Sequence, residues 1–117
     1  MAEPCIFCDI VSGKIKADFL YEDDAVVAFA DIRPIAPLHI LVVPRVHHAT
    51  LAEAVQTQEG LPLLGRLLKV AGDLAAARAS KDGGYRVVIN NGAAAGQTVY
   101  HLHLHVLSGR HFAWPPG

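Results

Sequence analysis

Neither a long apolar stretch nor a run of basic residues occurs in this chain. Its 117 residues carry a formal charge of only -1, from ten basic and eleven acidic side chains. A membrane helix needs about 20 consecutive apolar residues, so none is expected. Binding along a nucleic-acid backbone needs clustered lysine and arginine, so no nucleic-acid partner is expected either. A monomeric nucleotide asks only for a local site and remains possible. The N-terminus lacks the basic start and apolar core of a signal peptide, which points to the cytoplasm. Cysteine is scarce, with only Cys5 and Cys8. In a reducing compartment such a pair reads as a metal or redox pair before a structural disulfide. No linker, repeat or low-complexity segment divides the chain, and its length suits one domain over 1–117 with a single core.

Hydrophobic residues make up 52% and charged residues 18%, a composition that folds. Apolar, β-branched stretches predict strands at 20–24, 25–30 and 38–43, the third stopped by Pro44. The segment 31–37, with two prolines, reads as a loop. Thr50 can cap a short helix within 50–59, and Pro62 suits the first turn of a longer helix to about Ala79. Leu64, Leu67, Leu68, Ala71, Leu74 and Ala75 supply its apolar face. Asp82, Gly83 and Gly84 turn the chain into strands at 85–89 and 98–107, which flank a small-residue loop at 90–97. The tail beginning at Trp114 is non-helical. The fold class is α+β, an antiparallel five-stranded sheet with a helix on one face.

Seven histidines stand in this short chain, and three of them alternate with apolar residues from His101 to Val106. On a strand successive side chains change face. His101, His103 and His105 therefore share one face, while Leu102, Leu104 and Val106 enter the core. Three readings follow: a stripe with no role, a metal site of the His-X-His kind, or a nucleophilic histidine with neighbours that handle protons. The loop before it bears on the choice. Gly92 and Gly96 let backbone amides approach a ligand, and Gln97 and Thr98 add neutral donors, so an anion such as phosphate suits the spot.

The segment His101 to Leu107 resembles the signature of the histidine triad family, in which three histidines alternate with apolar residues. The resemblance runs from Ile6-Phe7 to Trp114-Pro115-Pro116-Gly117. Gly84-Tyr85-Arg86, Asn90 and Gly96-Gln97-Thr98-Val99-Tyr100 are similar to the branch of purine nucleoside phosphoramidases. It implies a short N-terminal helix and a homodimer whose two sheets join as ten strands. It implies that His103 is the nucleophile, that the His101 carbonyl fixes its tautomer, and that His105 contacts the phosphate and aids the leaving amine. His39 would complete the polar cluster. Gln97, Thr98, Asn90 and Gly96 would hold the phosphate or leaving group, Asp31 the ribose, and Phe7, Ile10, Ile15 and Ile32 the purine. Trp114 would reach the partner's site.

Plainer roles stand beside these: ordinary core for the apolar four, a turn cap for Asp31, a satisfied buried ring for His39, an interface anchor for Trp114. The family pattern also implies structural Zn2+ on Cys5, Cys8, His47 and His101. The segment Val43-Pro44-Arg45-Val46-His47 fits that pattern, and His48 would point elsewhere. Departures lie at Ala93, Ala94 and Ala95, where more polar residues are usual, and at Thr98, where serine is common. The alternatives within reach are a nucleotide-binding adaptor with weak hydrolysis, a dinucleoside polyphosphate hydrolase, and a zinc hydrolase using the three histidines.

Overall fold

Strands β2 (Val26–Ala30) and β3 (Leu38–Pro44) are nearly continuous in apolar residues because both faces of the sheet are covered there. In this computed structural model, which describes residues 4–79 and 83–117, they form the middle of a five-stranded sheet. The order is β1-β2-β3-β5-β4, with β1 Phe19–Glu22, β4 Tyr85–Val88 and β5 Leu104–Ser108, and every pairing is antiparallel. The two-residue period divides β2 and β3 between two cores. Val26, Ala28, Ile40 and Val42 meet Leu102, Leu104, Val106 and the long helix on one side. Val27, Phe29, Leu41 and Val43 meet Phe7 and Ile10 of the first helix on the other.

The first helix, α1 (Ile6–Ser12), starts at Cys5, whose sulfur accepts the Cys8 amide, and ends at Gly13 with φ 86°. Only glycine takes that left-handed cap without strain. Helix α2 covers just Leu51–Ala54, shorter than the 50–59 segment allowed, with Thr50 as its cap as the sequence suggests. Helix α3 begins at Gly60, before Pro62, and runs to Arg78. A Cβ on Gly60 would overlap the Ala54 carbonyl oxygen, so the turn from α2 into α3 requires glycine there. The buried face of α3 is Leu67, Val70, Ala71, Leu74 and Ala75. Leu68, assigned to that face from spacing, is 51% exposed, and Val70 takes its place. Each large side chain so buried stabilises the domain by about 1.5–3 kcal/mol.

Asp23 ties the first hairpin to α3. One carboxylate oxygen accepts the Ala25 and Val26 amides, and the other accepts the Tyr21 hydroxyl and Arg66. Burial acts to raise its pKa, but these bonds outweigh it and hold the carboxyl well below the usual range. The expected turn at 82–84 falls partly outside the described residues, Asp82 being one that is not described. Among the described residues no helix is long and apolar enough to cross a membrane.

Candidate functional site

The last strand is shorter than its alternating sequence suggests. β5 starts at Leu104, and the peptide between His101 and Leu102 leaves the sheet ladder. That peptide is held instead by the Leu102 amide donating to the His48 carbonyl at 2.6 Å. The alternation survives this detour: Leu102, Leu104 and Val106 stay in the helix-side core, while the His103 and His105 rings lie 5.0 Å apart on the other side.

Main-chain groups set the tautomer of each ring. His103 Nδ1 donates to the His101 carbonyl at 2.7 Å, so Nε2 keeps its lone pair. Phe7 packs edge-on against that ring, 5.0 Å between centroids. On β3, His39 Nδ1 accepts the Ile35 amide, which places the proton on Nε2. His39 Nε2 then donates to His105 Nδ1 at 2.9 Å, with Asp31 Oδ2 3.4 Å away as a second acceptor. His105 must consequently carry its own proton on Nε2, aimed at the groove that it lines. Burial lowers the pKa of all four rings. His101 and His105 are pushed down to about 4, where neighbouring histidines add to the effect, and His39 and His103 are also lowered. The cluster is thus neutral at pH 7, with one unprotonated nitrogen at His103 suited to attack.

Asp31, His39 and His105 also lie close enough to suggest a metal. The hydrogen bonding argues against it, because the His39 nitrogen facing the others bears a proton and has no lone pair to give.

A groove of about 490 Å³ opens at this cluster and brings together Asp31, His39, Asn90, Thr98 and His105 of the sequence-derived site. Gly96 takes a left-handed φ of 101° beside Asn90. Gln97 is buried and spends its side chain inside the loop: Oε1 accepts the Gly92 amide, and Nε2 donates to the Ala49 and Val99 carbonyls. It shapes the loop and offers no free donor. Asp31 does cap the following turn, accepting the Arg33 amide at 2.8 Å. Phe7 and Ile10 are core, Ile15 lines a separate groove with Ile10, and Ile32 and Trp114 are 92% and 82% exposed. Among the groove residues that escaped the sequence reading are Arg33, Arg86, Arg110 and Phe112. No spacing rule marks them, since they come from three separate segments.

The second cluster does fit a metal. Cys5 Sγ, Cys8 Sγ, His47 Nδ1 and His101 Nδ1 all lie within 4.8 Å of one another. His47 to His101 is 3.2 Å, and sulfur to nitrogen distances are 3.3–3.5 Å. A tetrahedral zinc site requires edges of about 3.3 Å between nitrogens and about 3.6 Å between nitrogen and sulfur. His101 Nε2 donates to the Pro44 carbonyl at 2.8 Å, leaving Nδ1 as the ligand nitrogen. This backbone support of a ligating ring is usual in metal sites. Burial, then Cys5 and Asp9, push the Cys8 thiol up to about 11, so a cation is needed to hold it as thiolate. His48 is not part of this set: it is buried, and its Nε2 has no hydrogen-bond partner among the described residues.

A family model described as the HIT domain matches residues 12–112. An uncharacterised HIT-like protein of Synechococcus elongatus is 52% identical over 117 residues, all of both chains. A 14 kDa zinc-binding protein of Zea mays is 45% identical over 97% of this chain and 88% of its own. A solved HIT family hydrolase from Legionella pneumophila superposes with a TM-score of 0.91 at 44% identity, covering 97% of this chain and all of the other. A histidine triad protein from Clostridium difficile gives 0.86 at 38% identity, with 97% of each chain covered.

Proposed function

Since the chain belongs to the HIT domain family, we propose that it hydrolyses purine nucleoside 5′-phosphoramidates, cleaving the P–N bond between AMP or GMP and an amine. The observation that carries this reading is the buried His103 ring, whose Nδ1 proton is bound by the His101 carbonyl so that Nε2 keeps its lone pair as a neutral nucleophile beside His105 of the groove. The solved Legionella hydrolase supports hydrolysis as the reaction class.

His103 Nε2 forms a bond to phosphorus, and the P–N bond breaks with its electron pair going to nitrogen. The amine takes a proton drawn from solvent and relayed through His105 Nε2, and departs. Water then attacks the nucleotidyl-histidine, its oxygen joins phosphorus, and its proton restores the one spent. AMP leaves and His103 returns to its first state. Thr98 and Asn90 receive the phosphate oxygens, with Gln97 and the amides of residues 95–97, which donate within the loop, holding it in shape. Asp31 meets the ribose, and Ile15 and Ile32, 41% and 92% exposed, offer the base apolar surface, with Phe7 and Ile10 packed in the core.

Cys5, Cys8, His47 and His101 would hold zinc as a structural ion, in keeping with the zinc-binding maize relative. Zinc at this place supplies a cross-link from α1 to the sheet. Supporting a homodimer are the apolar residues that α3 leaves uncovered, Leu61 at 66% and Leu68 at 51% exposure, and the free edge of β4. In that dimer Trp114 would meet the partner.

The test is release of AMP from adenosine 5′-phosphoramidate by wild type and His103→Ala, each with and without a chelator. Chelator-resistant turnover that vanishes in the variant is expected. Turnover retained by the variant would sink the nucleophile, and turnover stopped by the chelator would move the chemistry to the metal.

A further inference from the structure

The groove beside His105 carries more positive charge than one phosphate requires. Arg33, Arg86 and Arg110 all line it. Every ion pair among the described residues uses His39, Arg45, Arg66 or Lys69 instead, so none of the three guanidiniums has a carboxylate within 4.0 Å there. Asp31 is the groove's one acidic residue, and its two oxygens already face the Arg33 amide and His39.

Two of these arginines are held in place without being neutralised. Arg110 lies over the Phe112 ring at 4.3 Å, with Nε on the Ile35 carbonyl and one terminal nitrogen on the His111 carbonyl. Arg86 lies against the same ring at 5.3 Å and donates to the Ala113 carbonyl. Carbonyls and an aromatic face fix a guanidinium while leaving its charge uncompensated. Arg33 is exposed, and its side chain makes no hydrogen bond among the described residues.

We infer that this groove is a leaving-group subsite for a second anion: the preferred substrate carries a carboxylate or phosphate on the group that departs from the nucleotide phosphorus. The inference rests on the phosphoramidase reading for the reaction and on the groove for the specificity. Paired guanidiniums match either oxyanion in a forked geometry. A neutral or cationic amine would leave the two anchored positive charges, and that of Arg33, unanswered.

Three substrates distinguish the cases: AMP joined through nitrogen to β-alanine, AMP joined to propylamine, and a diadenosine polyphosphate. Wild type is expected to favour the β-alanine compound over the propylamine compound by about threefold to fivefold in kcat/KM, the effect of one exposed-to-half-buried charge pair. Arg33→Gln and Arg110→Gln should each bring that ratio towards one. Faster cleavage of the polyphosphate than of the β-alanine compound would assign the subsite to phosphate, with the same arginines. Binding of the two amine compounds to His103→Ala is measured alongside and needs no turnover. Preferential binding of the β-alanine compound to His103→Ala, with neither amine compound cleaved by wild type, would sustain the subsite and remove the phosphoramidase reading. Equal turnover and equal binding of the two amine compounds, or a ratio unmoved by both arginine variants, would overturn the inference.

Discussion

Replacing His39 with leucine tests how the site orients its proton. His39 takes the Ile35 amide on Nδ1 and gives its Nε2 proton to His105 across 2.9 Å. Without that donor, His105 is free to place its proton on either nitrogen and to turn. A hydrogen bond between neutral groups contributes about 1–1.5 kcal/mol net, so the correctly oriented form should fall by about five- to tenfold. The expected loss in kcat is of that size, with KM little changed. Removing His105 itself should cost more, about 10²–10⁴, the range for a group acting directly on the transferring proton. Stability should hardly move, because Ile35 is exposed and water can accept its amide in place of His39. The assay compares two leaving groups on AMP. An aliphatic amine needs a proton to depart, whereas nitrophenolate does not. The His39→Leu loss should appear with the amine and nearly vanish with the nitrophenyl ester. His39→Gln, whose amide can still donate, should recover part of it. Equal losses on both substrates would refute the reasoning, since His39 would then be acting on something other than the departing nitrogen.

Three further outcomes are expected. Purified protein should hold one zinc per chain by elemental analysis. Cys8→Ser should lose it and lower the melting temperature, with hydrogen exchange rising first in α1, which only Phe7 and Ile10 would then anchor; metal content unchanged in the variant would dissociate Cys8 from the site. Asp23 is held below its ordinary value in the folded chain, so its stabilisation is complete above about pH 4 and is lost as pH falls below that. Asp23→Asn should destabilise the protein at pH 7 and flatten its acid unfolding curve between about pH 4 and 2, and an unchanged curve would contradict the assigned bonds. Leu68→Glu should shift sedimentation from dimer to monomer while leaving the fold intact, because its side chain is 51% exposed in the single chain; a variant that still sediments as a dimer would place the interface elsewhere.

The sequence carried the five strands, the long helix, the alternating histidines and the Cys5/Cys8 pair because each writes a periodic or spaced pattern, whereas Asp31, His39 and His47 joined them through the family resemblance. What it hid depends on the main chain. The break before Leu104 is invisible, since His101, Leu102 and His103 alternate as they would on a strand whether or not the peptide joins the ladder. Leu68 and Val70 sit on opposite edges of the stripe centred on Leu67, Ala71 and Leu74, so spacing alone does not decide which edge meets the sheet. Gln97 has the donors of a phosphate ligand, but the loop's own amides and carbonyls occupy them. The arginine groove is assembled from the turn after β2, from β4 and from the segment after β5, so no local pattern announces it.

The peptide unit joining residues 101 and 102 has a consequence for how this enzyme family can be studied. Its N–H is fixed by the His48 carbonyl, and its C=O receives the proton of His103. The group that aims the nucleophile is therefore encoded by no side chain, and codon-by-codon scanning cannot remove it. Replacing His101 would disturb the metal ligand while keeping the carbonyl in the chain. Only a change of atoms, such as an ester in place of that amide through chemical ligation, would weaken the acceptor and delete the N–H together. Side-chain drift at position 101 is thus separable from the setting of the His103 tautomer, and the orientation of the proposed nucleophile is written in the backbone alone.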